Sequence, residues 1–209
     1  MRMSIRTTLG AATAALALLI ASAAIAAPAH AHETPTPGTR CALSGMTVID
    51  HGKAWVCTSA TEGAKPRWGK GVTTSKSPLT MSDAWAKAAD SGMSAAFGVL
   101  NNPTAKPIRV VGAFTTTSPV VQLHEVVDKD GAMVMQQKAG GFVIPAGGSV
   151  ELKPGGNHMM FMKIVKPIKA GTSVPITLVT SDGGLLTVKA LGKVYNGANE
   201  SYTGGMSGM

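Results

Sequence analysis

From Leu79 to about Val194 the chain is cut into short apolar runs, each closed by a turn cluster, and this punctuation limits the fold more than any other feature. The runs are LTMSDAWAKA, SAAFGVLN, IRVVGAFTT, VVQLHEVV, AMVMQQKA, GFVIPA, SVELKP, HMMFMKIV, SVPITLVTS and GLLTVKALGKV. Segments this short and this regularly spaced read as strands, and DAWAKAADSGM is the one stretch whose spacing would suit a turn of helix. Between them Asn101-Asn102-Pro103, Asp128-Lys129-Asp130-Gly131, Pro145-Ala146-Gly147-Gly148, Pro154-Gly155-Gly156-Asn157 and Asp182-Gly183-Gly184 supply residues suited to reversing the chain. There are no helix-linked parallel strands and no internal repeat. The expected fold is all-β, an antiparallel sandwich or barrel.

The rest of the 209 residues are appendages to that domain. Residues 1–31 pair a basic start, Arg2 and Arg6, with the apolar stretch Leu9 to Ala27 and an A-x-A site at Ala29-His30-Ala31, which reads as a secretory signal peptide and an extracytoplasmic destination. No cysteine follows the apolar run where a lipid anchor needs one; Cys41 sits later, in TPGTRCAL. Residues 32–60 form a linker and a small module in which TVIDHGKAWVC alternates around Asp50-His51-Gly52-Lys53 as a hairpin does. Two readings stand for Cys41 and Cys57: a disulfide bracing that hairpin, as an oxidising compartment permits, or a soft metal site with Met46 and His51. Residues 61–78 are a Gly, Pro, Ser, Thr and Lys linker, 79–194 the main domain, and 195–209 a flexible tail holding Met206 and Met209.

The chemistry-bearing residues of the main domain are histidines and methionines. His124 lies in VQLHEVV and His158 in GGNHMMFMKI, with Met133, Met135, Met159, Met160 and Met162 between or just after them. A methionine-rich strand is ordinarily a packed one. Alternation sharpens that reading: residues two apart share a strand face, so His158, Met160 and Met162 line one side while Met159 and Phe161 line the other. If Asp128 to Gly131 is a four-residue loop, His124 stands directly opposite Met135, with Cβ atoms about 4.5–5.5 Å apart. Two imidazoles and two thioethers, without carboxylate or thiolate, form a soft and neutral set that suits Cu(I) better than zinc or a harder ion.

His124, ten intervening residues to Met135, 22 more to His158 and one to Met160 resembles the H-x10-M-x21-H-x-M signature of periplasmic copper chaperones that serve the Cu(A) centre of cytochrome c oxidase. The second gap is one residue longer here, which leaves Met133 as the competitor of Met135. Asp83-Ala84-Trp85-Ala86, Ile144 to Gly148, Glu151 to Gly156 and Lys166-Pro167 share in the likeness, which spans roughly residues 79–192. It implies a cupredoxin-like β-sandwich holding one Cu(I) through His124, Met135, His158 and Met160, at an exposed site near one end of the barrel. The implied acceptor is a cuproprotein such as cytochrome c oxidase subunit II, with another copper-assembly protein as an alternative partner. Family members often carry Met- or His-bearing extensions, so Met206 and Met209 are candidates for a weak second segment; cleavage after Ala31 would leave His32 as an amino terminus able to chelate Cu(II).

Other functions fit less well. The formal charge of +8 falls to +6 once Arg2 and Arg6 leave with the signal, but the lysines are scattered and not interleaved with aromatics, so a nucleic-acid platform is not expected. Blue-copper electron transfer needs a cysteine ligand, and neither cysteine lies in the main domain. No nucleophile with a plausible base emerges, so an enzyme is not expected. A monomeric copper carrier is the leading reading; copper buffering for resistance and an adhesive β-sandwich with a Met-filled core are the rivals.

Overall fold

A computed structural model describes residues 34–60 and 63–197. The signal-like segment, His32 and the tail methionines fall outside the described residues. The described residues form one compact unit.

All regular structure among the described residues is strand. The N-terminal module carries β1 (Thr47–Asp50) and β2 (Lys53–Thr58), paired antiparallel with Asp50 opposite Lys53. His51 and Gly52, both at positive φ, make the two-residue turn. Residues 61–78, expected as a linker, hold β3 (Arg67–Trp68), β4 (Val72–Thr73) and β5 (Ser75–Lys76). The first two pair with β2, and β5 runs alongside the strand that ends the main domain.

The main domain follows as β6 (Thr80–Lys87), β7 (Ser94–Asn101), β8 (Ile108–Phe114), β9 (Val121–Lys129), β10 (Ala132–Gln137), β11 (Phe142–Ile144), β12 (Ser149–Leu152), β13 (His158–Phe161), β14 (Ser173–Thr180) and β15 (Gly184–Lys193). Every apolar run became a strand, and DAWAKAADSGM did not turn: β6 stays extended to Lys87. The order β10-β9-β13-β7-β6-β15-β14-β8-β11 closes on itself where Ala113 of β8 meets Val121 of β9. The result is a β-sandwich, antiparallel except where β15 pairs with β6 and β5. Its core is built from Leu79, Leu100, Leu123, Met159, Phe161 and Ile176 with their buried neighbours.

Two local irregularities shape the outside of this sandwich. A bulge between Ser82 and Trp85, with Asp83 at φ 52°, puts an extra residue into β6. One extra residue reverses the inward-outward alternation, so Met81 packs toward the core while Trp85 turns outward and stacks 4.4 Å from Phe97. The hairpin between β9 and β10 turns on Asp130 and Gly131 alone, both at positive φ, with Lys129 opposite Ala132. This corrects the expected four-residue loop: Asp128 and Lys129 remain in the strand because Asp130-Gly131 satisfies a tight primed turn without them. His124 therefore faces Gln137, and Met135 faces Val126. The slip is two residues, an even number, so His124 and Met135 keep the same face as diagonal neighbours.

Candidate metal centre

Strands β9, β13 and β7 lie side by side, and the site is built on the face they turn away from the main core. Met160 stands between Ala95 and Gln122, and His158 stands directly opposite His124. Alternation sorts the side chains as expected: Met159 and Phe161 enter the main core, while Met160 and Met162 join a separate outer cluster with Ala95, Phe97, Val120 and Met135. His124 and His158 meet edge to face with ring centres 5.4 Å apart.

The four residues singled out by sequence come together, and they are buried: His124 is 0%, His158 3%, Met135 5% and Met160 7% exposed. The exposed site implied by the resemblance is thus corrected: Met135 and Met160 belong to a buried cluster with Phe97, against which Trp85 and Met46 pack. Met133, the competitor of Met135, shares its face but lies 56% exposed toward the hairpin tip. Glu125 points elsewhere, pairing with Lys138. Among the described residues no three His, Cys, Asp or Glu side chains gather, so any ion here is held with thioether help.

Hydrogen bonds assign the imidazole nitrogens different tasks. His158 Nδ1 donates to the Gly156 carbonyl at 2.9 Å, and that carbonyl can only accept. In its neutral form the ring therefore carries its lone pair on Nε2, which lies 2.9 Å from Met135 Sδ. A nitrogen lone pair and a sulfur lone pair thus face one another in a buried place, an arrangement that a soft cation would relieve. Gln122 donates through Nε2 to the Ser44 carbonyl at 2.9 Å, which fixes its amide and turns Oε1 toward His124 Nε2 at 2.7 Å. Nε2 is then the protonated nitrogen of His124 and the imine lone pair falls on Nδ1. Burial above all, and to a lesser degree the charge His158 would carry if it took up a proton, pushes the His124 pKa down to about 3, so this ring is neutral throughout the physiological range.

The partner of Gln122 belongs to the N-terminal module. Cys41 and Cys57 form a disulfide with Cα atoms 6.2 Å apart, which removes both thiolates from the alternative metal set. His51 sits at the exposed hairpin turn, 3.0 Å from Asp50. The disulfide-braced turn Ser44-Gly45-Met46 rests on β9 so closely that a Cβ at Gly45 would lie 2.7 Å from Val121 O and Gln122 Cγ. Gly45 also has φ +92°, so no other residue fits without strain. Met46 packs against the outer methionine cluster.

Sequence reasoning passed over Gln122 and Met93. Both carried a signal: Gln122 is two residues from His124 and Met93 two from Ala95, hence on the same face by simple alternation. Met93 lines a cleft shared with Met135, His158 and Met160.

Residues 79–191, more than half of the chain, match the model of the LpqE-like family, described as "Putative lipoprotein LpqE-like". The "Putative lipoprotein Lxx21020" of Leifsonia xyli subsp. xyli is 46% identical over 126 residues, covering 60% of this chain and 76% of its own. Among solved structures, the copper-bound PCuAC domain from PmoF2 is 20% identical, covers 58% of this chain and 97% of its own, and has a TM-score of 0.48. The solution structure of CuI-DR1885 from Deinococcus radiodurans is 29% identical over 59% of this chain and 84% of its own, with a TM-score of 0.44.

Proposed function

The chain belongs to the LpqE-like family, and from the geometry of its outer face we propose that it is an extracytoplasmic Cu(I) carrier. The observation that carries this reading is the buried confrontation of His158 Nε2 with Met135 Sδ at 2.9 Å, with His124 across the strand pair and Met160 beside them. All four donors are neutral, so the set binds a monovalent soft ion without burying a second charge, and thioethers favour Cu(I) over harder cations. The spacing of the same four residues in sequence agrees. Placement outside the cytoplasm is supported by the Cys41–Cys57 disulfide, the signal-like N-terminus, and the lipoprotein description of the relative. Since Cys41 is engaged in that disulfide, any lipid would have to be attached elsewhere.

Copper is cargo here. His158 and the two methionines line the cleft and take the ion first; His124, deeper and already neutral, completes the set without losing a proton. Release runs by stepwise exchange, in which an acceptor ligand replaces one thioether before the next lets go. The thioethers hold Cu(I) less tenaciously than thiolates do, so a thiolate-bearing acceptor such as subunit II of cytochrome c oxidase can withdraw it. The near-complete burial of the four ligands favours the rival reading of a copper buffer to the extent that it slows release.

Titrating the purified protein with Cu(I) against a chromogenic chelator tests the proposal. One tightly held Cu(I) per chain is expected, and the double change His158→Ala and Met160→Ala should abolish it while circular dichroism stays unchanged. Undiminished binding by the double variant overturns the proposal. Oxidase activity in a deletion strain, with and without added copper, separates delivery from buffering.

A further inference from the structure

We propose that Met93 is an outer copper ligand, a thioether to which Cu(I) binds in transit between the surface and the four-ligand site. This rests on the Cu(I) reading above and goes beyond it, since Met93 stands outside the His124, Met135, His158 and Met160 set.

Met93 immediately precedes β7, and alternation puts it on the face of Ala95 and Phe97, the two β7 residues of the outer cluster. Ala95 lies directly opposite Met160. Its side chain is a single methyl group, and a cleft beside it is lined by Met93 together with Met135, His158 and Met160. Met93 is 44% exposed, whereas those three inner residues are at most 7% exposed. One thioether in this cleft therefore touches both solvent and the space next to the inner ligands.

The backbone around it is pinned. Ile164 N donates to Gly92 O at 2.7 Å, and Ser94 Oγ donates to Lys87 O at 2.6 Å. What remains adaptable is the unbranched methionine side chain, whose three rotatable bonds let the sulfur swing inward or outward. Among the described residues no carboxylate lines the cleft, and the Lys87 ammonium at its edge donates to the Gly197 carbonyl at 2.6 Å. The donor the described residues place at the mouth is thus a soft neutral thioether, the type that favours Cu(I) over hydrated divalent ions.

A transit ligand answers a problem posed by burial. An acceptor cannot reach four side chains that are nearly inaccessible, and shedding them together would leave copper bare. With Met93, a dative bond from its Sδ to copper forms as one inner thioether departs; the ion stays Cu(I), and no electron or proton moves. The ion then meets the acceptor at the surface. Such a ligand lowers the barrier in both directions, so binding and release rates change together while their ratio holds.

The test loads the full chain with one equivalent of Cu(I) and follows transfer to bicinchoninate by stopped-flow absorbance, alongside equilibrium competition. Met93→Leu keeps the apolar bulk and removes the sulfur. Stoichiometry should stay at one with affinity within about threefold of wild type, while transfer slows about tenfold in both directions. Met93→Ala should slow transfer to a similar degree. Wild-type transfer rates in Met93→Leu overturn the proposal, and so does faster transfer in Met93→Ala, which would make Met93 a plug. If the wild-type chain itself takes up no Cu(I), the carrier reading fails first and this one with it, an outcome distinct from either variant result.

Discussion

Strand β13 presents two faces made from nearly the same side chains. Met159 and Phe161 enter the main core, where they meet Leu123, Val121 and other hydrocarbon neighbours. Met160 and His158 face the other way and are almost as deeply buried, but their neighbours are a second imidazole, an amide and another thioether. Burial and residue type therefore do not distinguish a packing methionine from one proposed to bind copper. What distinguishes them is company: on the inner face each sulfur meets carbon, and on the outer face a sulfur meets a nitrogen lone pair.

Substitutions matched across the strand put this contrast to the hardest test. Met159→Ala should cost about 2–5 kcal/mol of folding stability, the range for emptying a buried large apolar site, with Cu(I) affinity intact once the protein is folded. Met160→Leu conserves volume and should cost less than about 1.5 kcal/mol, yet lower Cu(I) affinity by about a hundredfold, equivalent to about 2.7 kcal/mol. Chemical denaturation and chelator competition on both variants give the four numbers. If both variants behave alike in both assays, the two faces are not different in kind.

The contrast was half visible in the sequence. Turn clusters and short apolar runs mark every main-domain strand, and period-two alternation alone sorts His158 and Met160 from Met159 and Phe161. The register of the β9–β10 hairpin was not legible, because Asp128-Lys129-Asp130-Gly131 serves equally as a loop of four or as two strand residues and a turn of two. The face of Met135 survived that ambiguity only because the two registers differ by an even number. The bulge that turns Trp85 outward has no signature in the sequence; the fold reveals it, with Asp83 at positive φ. The Ser44–Gln122 contact joins residues 78 apart in the chain, and no local pattern announces it.

The titratable groups give a second handle, because the inner face has none. His124 holds its pKa near 3 when folded and near 6.5 when unfolded. Its folded pKa is depressed, so at high pH it is neutral in both states and imposes no penalty. As pH falls through 6.5, the unfolded chain takes up a proton that the folded one refuses, and stability drops by about 2 kcal/mol between pH 7 and pH 5. Copper-free protein melted across that interval should show the loss, and His124→Gln should flatten it by a corresponding amount. An equally steep profile in the variant would place the titration elsewhere.

A smaller effect is expected where the module meets the outer face. Gln122 holds the His124 ring and is itself held by Ser44, so it positions the imidazole without being placed among the ligands. Removing such a partner typically lowers metal affinity about 10- to 100-fold, and Gln122→Ala should fall at the lower end because strand pairing still aims the ring. X-ray absorption of the loaded variant should show the same nitrogen and sulfur ligands as wild type. Loss of a nitrogen from that spectrum would mean that Gln122 decides whether His124 binds at all.

The finest division lies within the outer face itself. Met162 follows Met160 by two residues, shares its side of the chain and is equally buried, at 6% against 7%. It lies beyond the end of β13 at Phe161, where its N–H donates to the Val120 carbonyl, and it does not line the cleft that Met135, His158 and Met160 share. Facing the ligand side is thus not enough; a sulfur must also border the space where the lone pairs converge. Met162→Leu should therefore change stability by less than about 1 kcal/mol and leave both Cu(I) affinity and transfer rate at wild-type values. A measurable weakening would show that the site extends along β13 to a third thioether, and the boundary between packing and ligation would then fall after Met162.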